Sequence, residues 1–193
     1  CVRSREAAFV AGCFALCLAA AAALFAPSLG PDRAIFGRDT AAHDYGMLLW
    51  GFGEASQSGR LPLWNPWLFG GIPTLGSFAL CPFYPSAILF LLLPYPLAFS
   101  AQYLFAFAVG GAGMAFLARR EGLSRPAALA AALAFSLSGH FTSLAYAGHM
   151  TKALAFAWAP WAFAFARGCF ASGRAAEAAG LGAAFAFMLL ASH

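Results

Sequence analysis

One stretch of this sequence, residues 36 to 69, carries most of the side chains that could take part in a reaction. Only 9% of the chain is charged and 62% is hydrophobic, so polar groups are scarce elsewhere. The stretch contains Arg38, Asp39, His43, Asp44, Glu54, Arg60 and Asn65. A carboxylate can act as a general base, and cations can stabilise a leaving group on which negative charge develops. If this protein is an enzyme, we expect its site in this stretch.

Asp39 is the first candidate for a general base, although its position also fits a structural role. Residues Thr40 to Ser56 are predicted to form a helix, with Asp39 or Thr40 as its N-cap. His43 and Asp44 lie farther along this helix and are predicted to bind substrate. Because Asp44 follows Asp39 by five residues, the two carboxylates do not share a helix face. A divalent metal between them is therefore a weak alternative, and we predict neither a metal-ligand set nor another cofactor.

A second group of ionisable side chains comes later in the chain. His149 and Lys152 are three residues apart, a spacing that places both on one face of a helix. Together with Arg38 and Arg60 they are predicted to bind the phosphate of a substrate. The simpler interpretation is that Lys152 extends to the membrane surface and that His149 is hydrated.

The rest of the sequence predicts an all-α protein, a polytopic transmembrane helical bundle in a single domain over residues 1–193. The chain is too apolar for a soluble domain. An apolar helix of about 20 residues crosses the hydrocarbon core of a bilayer. Five segments meet this pattern, at about 7–27, 97–118, 126–146, 152–170 and 175–191.

A long first extracytoplasmic loop, residues 28–96, is predicted between the first two spans. It would carry the interfacial helix described above and a re-entrant or interfacial segment from Phe83 to Leu93, which is too short to span comfortably. Between them, several glycines and prolines forbid a long helix. Trp64 and Asn65 lie in this part of the loop. They are candidates for substrate binding, although a role in shaping the loop is the favoured interpretation.

The distribution of basic residues predicts a topology with the N-terminus in the cytoplasm. The positive-inside rule places most of the arginines there. The same topology brings Asp39, Asp44, His149 and Lys152 to the outer face. The basic residues are spread between apolar runs and no nucleotide-binding motif is present, so no nucleic-acid partner is expected. The chain begins at Cys1 and ends at His193 after an apolar run, so we expect it to be a fragment of a longer protein.

Several short motifs resemble those of the YfhO-like family of bacterial membrane proteins. They are FGRDT at 36–40, GRLPLWNP at 59–66, GGIP at 70–73, FYP at 83–85, GHMTK at 148–152 and WAPW at 158–161. This family is similar to GT-C glycosyltransferases, which transfer a sugar from a polyprenyl-phosphate donor at the outer face of the membrane. The resemblance implies a GT-C-like fold and a bacterial inner-membrane location. It also implies a catalytic role for Asp39, which follows the first span.

The resemblance therefore predicts a membrane glycosyltransferase. Its partners would be a polyprenyl-phosphate-linked sugar, the surrounding membrane lipids and a cell-envelope glycan or lipid acceptor. One alternative is a multi-span transporter or lipid flippase, although the spans contain few charged groups to line a path. A second alternative is a non-catalytic assembly protein in which Asp39 only caps a helix.

Overall fold

A computed structural model of the chain describes residues 2–40, 45–74 and 81–191. Within these ranges the chain is mainly helical, with short 3-10 turns and one two-stranded antiparallel hairpin. The helices are α1 (Val2–Leu24), α2 (Tyr45–Ser58), α3 (Leu89–Leu92), α4 (Tyr95–Arg120), α5 (Arg125–Ser136), α6 (Gly139–Ala147), α7 (Met150–Phe156), α8 (Ala159–Ser172) and α9 (Ala175–Leu190). The strands are β1 (Trp64–Asn65) and β2 (Ile72–Pro73).

Four helical segments are long and apolar enough to cross a membrane, namely Ser4–Leu24, Tyr95–Arg120, Arg125–Ala147 and Met150–Ser172. Helix α9 is also apolar but shorter. This confirms the prediction of an all-α membrane protein. Two of the predicted spans, 126–146 and 152–170, are not continuous helices, because breaks separate α5 from α6 and α7 from α8. Pro160 lies in the first turn of α8, so the second break falls just before the proline, as proline geometry favours.

Helix α4 lies at the centre of the bundle and contacts α1, α5, α7 and α8. Small residues let large side chains approach its backbone. A Cβ atom at Gly113 would lie 2.5 Å from the Trp161 ring, and one at Gly111 would lie 2.4 Å from Cys17 Sγ. Gly113 therefore allows a close contact with an aromatic side chain of α8.

One end of the bundle, which we call the arginine end, is closed by ion pairs between distant helices. Two glutamates each bind two arginines. The pairs are Arg119 with Glu6 (2.9 Å), Arg125 with Glu6 (3.1 Å), Arg120 with Glu177 (2.7 Å) and Arg174 with Glu177 (2.7 Å). These contacts join the start of α1 to the end of α4 and the start of α5, and they join α4 to α9.

The opposite end, which we call the loop end, carries the segment between α1 and α4. Helix α2 packs there through aromatic rings. The ring centroids of Tyr45 and Tyr95 are 4.7 Å apart, and Phe52 stacks on Phe90 with a centroid distance of 4.8 Å. The helix predicted over 40–56 is thus present from Tyr45 onward, and residues 41–44 lie outside the described part. Between Phe83 and Leu93 the chain forms a 3-10 turn and the single-turn α3, which is far shorter than the ~20 residues that a span requires.

Candidate functional site

Two segments meet backbone to backbone at the loop end, the residues around Gly37 and the turn between α6 and α7. A Cβ atom at Gly37 would lie 2.1 Å from the backbone nitrogen of Gly148, and one at Gly148 would lie 2.6 Å from that of Thr40. Any side chain at either position would separate the segments. The fully buried Thr40 hydroxyl donates a hydrogen bond of 3.2 Å to the Gly148 carbonyl oxygen.

The end of α6 fixes where His149 lies. Gly148 adopts the left-handed conformation, with a φ of 93°, which glycine reaches at little cost. This turn lets the backbone N–H groups of Gly148 and His149 both donate to the Leu144 carbonyl, at 3.0 and 2.8 Å. The glycine therefore ends α6, and His149 follows directly as the residue that precedes α7.

Asp39 and His149 form a contact across this junction. The distance from His149 Nε2 to Asp39 Oδ2 is 2.8 Å, although the residues are 110 positions apart in the chain. The His149 side chain is 31% exposed and the Asp39 side chain is 58% exposed. A pair of this kind combines a carboxylate that can accept a proton with an imidazole that can orient that carboxylate. The pair is also open to solvent and therefore to a substrate.

The N-cap prediction for Asp39 and Thr40 is wrong. Residues 38–40 already have helical backbone, so neither residue stands in front of the helical turn. Thr40 is buried against Gly148, and the Asp39 carboxylate lies 2.8 Å from His149 Nε2. The non-catalytic assembly protein stays an alternative.

Of the other predicted binding residues, some lie in the two segments that form this pair and others do not. Arg38 is exposed and precedes Asp39, and Lys152 is half-buried in the first turn of α7. Both belong to the two segments that form the junction. His43 and Asp44 lie outside the described residues, so their predicted role stays a prediction.

Arg60 lies elsewhere at the loop end, on a cavity of about 370 Å³ between α2 and the 3-10 turn before α3. The cavity is lined mainly by apolar groups, including Phe52, Ile88 and Leu91. Tyr84 also lines it. Burial raises the pKa of Tyr84 to about 12, although the Trp158 indole donates to its hydroxyl at 2.9 Å. Tyr84 is therefore neutral at physiological pH and supports packing, not proton transfer.

Trp64 and Asn65 shape the loop. Asn65 is 3% exposed, and its side-chain oxygen accepts a 2.9 Å hydrogen bond from the backbone N–H of Trp67. Trp64 covers Gly71, where a Cβ atom would lie 2.6 Å from the indole ring. These contacts agree with the structural interpretation of both residues.

No group of three or more histidine, cysteine or acidic side chains that could hold a metal occurs in ranges 2–40, 45–74 and 81–191. Asp39 and His149 supply two ligand side chains within this part of the chain. Sequence reasoning did not identify Gly37, Thr40 or Gly148 as residues that build the site. A signal for one of them was present, because a glycine directly before a polar residue often marks the end of a helix.

The fold and the site together define a helical membrane protein with an exposed acid–histidine pair between its first long loop and the turn after α6. Comparison with known families gives a more specific assignment. The chain belongs to the family described as 6-pyruvoyl-tetrahydropterin synthase related domain, membrane protein, which matches residues 77–193. The match includes His149 but not Asp39. No curated protein and no solved structure matches the chain.

Proposed function

We propose that this chain forms the donor-side part of a membrane glycosyltransferase. The enzyme would transfer a sugar from a polyprenyl-phosphate donor to a cell-envelope glycan or lipid. The observation that carries the proposal is the 2.8 Å contact between Asp39 and His149, built by two segments far apart in sequence. The resemblance to the YfhO-like and GT-C proteins supports it, since Asp39 matches their catalytic position after the first span.

The small contribution of the acid–histidine pair to stability argues for a role beyond folding. A side-chain contact this exposed contributes about 0–1 kcal/mol even where both partners are charged. The close backbone contact and the buried Thr40 hydrogen bond already join the two segments. We therefore expect the acid–histidine pair to contribute little to folding, whereas an exposed, oriented carboxylate is useful for catalysis.

In the proposed reaction the Asp39 carboxylate accepts the proton of an acceptor hydroxyl. The acceptor oxygen then forms a bond to the anomeric carbon of the sugar. The bond from that carbon to the phosphate oxygen breaks, and its electron pair stays on the departing polyprenyl phosphate. His149 donates through Nε2 to one carboxylate oxygen and leaves the other for the acceptor. Arg38 and Lys152 stabilise the negative charge that develops on the phosphate.

The location follows from the same chemistry. A polyprenyl-phosphate sugar needs no nucleotide at the outer face of the membrane, so the loop end would face outward from the bacterial inner membrane. The arginine end would then face the cytoplasm, in agreement with the positive-inside rule. The N-terminus would lie on the cytoplasmic side.

The test is transfer of labelled sugar from a polyprenyl-phosphate pool to envelope polymer, with variants compared at equal membrane levels. Asp39→Asn should lower the transfer rate by about 100-fold or more, because an amide cannot accept the proton. Asp32→Asn is the matched control, since Asp32 is an exposed acid of the same loop and should leave transfer unchanged.

Two outcomes would contradict the proposal. If Asp39→Asn transfers sugar at the wild-type rate, Asp39 is not the base. If the labelled lipid crosses the membrane in a protein-dependent way and no sugar is transferred, the transporter or flippase alternative replaces the enzyme.

A further inference from the structure

A groove at the arginine end is separate from the acid–histidine pair. It has a volume of about 790 Å³ and runs between α1, α4 and α8. Its walls are apolar, with Val10, Phe14, Phe116 and Trp161 among them. Charged side chains lie at one end only, and they are Glu6, Arg119 and Arg120. The groove therefore has apolar walls along its length and charged side chains at one end, which we call its mouth.

The length of the groove matches half a bilayer. On α1 the lining residues extend from Glu6 to Phe14, and on α4 they extend from Ala112 to Arg120. Eight residues of α-helix rise about 12 Å. One leaflet contributes about 15 Å of the hydrocarbon core. The groove is thus long enough for most of one acyl chain from a single leaflet.

The charge at the mouth selects the kind of lipid. Glu6 binds Arg119 and Arg125, while Glu177 binds Arg120 and Arg174. These four arginines and two glutamates leave a surplus of two positive charges. Arg125 and Arg174 do not line the groove but are the outer partners of the two glutamates, and their side chains are 48% and 59% exposed. An anionic headgroup at this depth would meet guanidinium groups that can donate to phosphate.

We propose that this groove binds an anionic phospholipid, with one acyl chain between α1 and α4 and the headgroup phosphate beside the arginines. This site differs in place and ligand from the proposed donor site at the loop end. It would hold a structural or regulatory lipid. A neutral lipid could fill the apolar walls but would not use the surplus charge, so the preference for an anionic headgroup is the distinguishing property.

The experiment is native mass spectrometry of the purified full chain in detergent, titrated with phosphatidylglycerol or with phosphatidylcholine. Phosphatidylglycerol should bind at least about 5-fold more tightly, the preference expected from a single basic residue near a membrane surface. Ala11→Phe should abolish this binding because Ala11 lines the groove. Ala15→Phe is the matched control, since Ala15 is exposed on the same helix and is not among the residues that line the groove.

A second variant tests the charge without filling the groove. The double variant Arg125→Gln with Arg174→Gln should lose the preference for phosphatidylglycerol and keep the weaker binding of phosphatidylcholine. Each glutamate keeps one arginine partner in this variant, so the fold should survive, and circular dichroism of every variant checks that it does.

Equal binding of the two lipids to the wild type would overturn the proposal. So would unchanged phosphatidylglycerol binding by Ala11→Phe. A lipid-free wild-type dimer that Ala11→Phe converts to a monomer would show that a second copy of the chain covers the groove, and this result would also overturn it.

Discussion

Asp39 and His149 meet because glycine at two positions lets the backbone of one segment touch that of another. The pair itself is exposed and adds little to stability. Gly37 and Gly148 allow the approach, and Thr40 joins the segments by a buried hydrogen bond. At the scale of single residues, the site therefore depends on groups that take no part in any chemistry.

This dependence predicts the effect of Gly148→Ala. Alanine at a φ of 93° is strained, and its Cβ would lie 2.6 Å from the Thr40 backbone nitrogen. We expect the variant to lose about 1–3 kcal/mol of stability, measured by thermal unfolding in detergent. Sugar transfer by the protein that remains folded should also fall, because the distance between Asp39 and His149 would increase.

Gly139→Ala is the control for that experiment. Gly139 begins α6 and has no atom within 4 Å of an added Cβ, so this variant should be as stable as the wild type or slightly more stable. If Gly148→Ala matches Gly139→Ala in both stability and transfer, the close backbone contact is not what positions the pair.

At the scale of elements, Gly168 lets α8 and α9 pack closely against the end of α4. A Cβ atom at Gly168 of α8 would lie 2.2 Å from Glu177 Oε2 and 2.6 Å from an Arg120 guanidinium nitrogen. Gly168 thus makes room for the ion pair between α4 and α9. The Arg120 guanidinium also lies over the Phe116 ring, at 5.4 Å from its centroid. Ion pair and aromatic contacts together hold the three helices at this end.

Gly168→Ala should therefore displace Arg120 from Glu177 and lower stability by about 1–3 kcal/mol, the usual cost of overpacking. Thermal unfolding in detergent measures it, and Gly182→Ala is the matched control because a Cβ atom there meets nothing within 4 Å. Equal unfolding temperatures for the two variants would mean that the helices shift to accommodate the methyl group.

Some elements could be predicted from the sequence and others could not, for physical reasons. The long apolar runs predicted α1 and α4 because length and hydropathy alone decide those helices. The break at Leu137–Ser138 was missed, because apolar composition continues through it. The break at Ala157–Trp158 precedes Pro160, a residue that favours the start of a helix and so marks this position in the sequence.

The candidate site was predicted in part. Asp39 and His149 were both selected from their residue types, but their contact crosses 110 positions and no local pattern encodes it. The ion pairs of Glu6 and Glu177 were also missed. Arg119, Arg120 and Arg125 were used only to orient the chain, although each of them pairs with a glutamate on another helix. Local patterns predicted the individual groups, whereas tertiary contacts determined their pairing.

At the scale of the whole molecule, the two ends of the bundle carry different polar groups. The acid–histidine pair lies at the loop end and the ion pairs of Glu6 and Glu177 lie at the arginine end, and the length of α4 separates them. The proposed function requires them to face opposite sides of the membrane. Single cysteines in an otherwise cysteine-free chain test this. Gln57→Cys lies at the exposed end of α2, and Leu123→Cys lies in the exposed turn between α4 and α5.

A membrane-impermeant maleimide should label Gln57→Cys in intact spheroplasts, whereas Leu123→Cys should be labelled only in inverted vesicles. The expectation follows from the arginines at positions 119, 120, 125 and 174, because basic residues next to a span are retained in the cytoplasm. The reverse pattern would place Asp39 and His149 on the cytoplasmic side, where an outward-facing polyprenyl-phosphate sugar cannot reach them. Labelling of both positions from one side would mean that α4 does not cross the membrane.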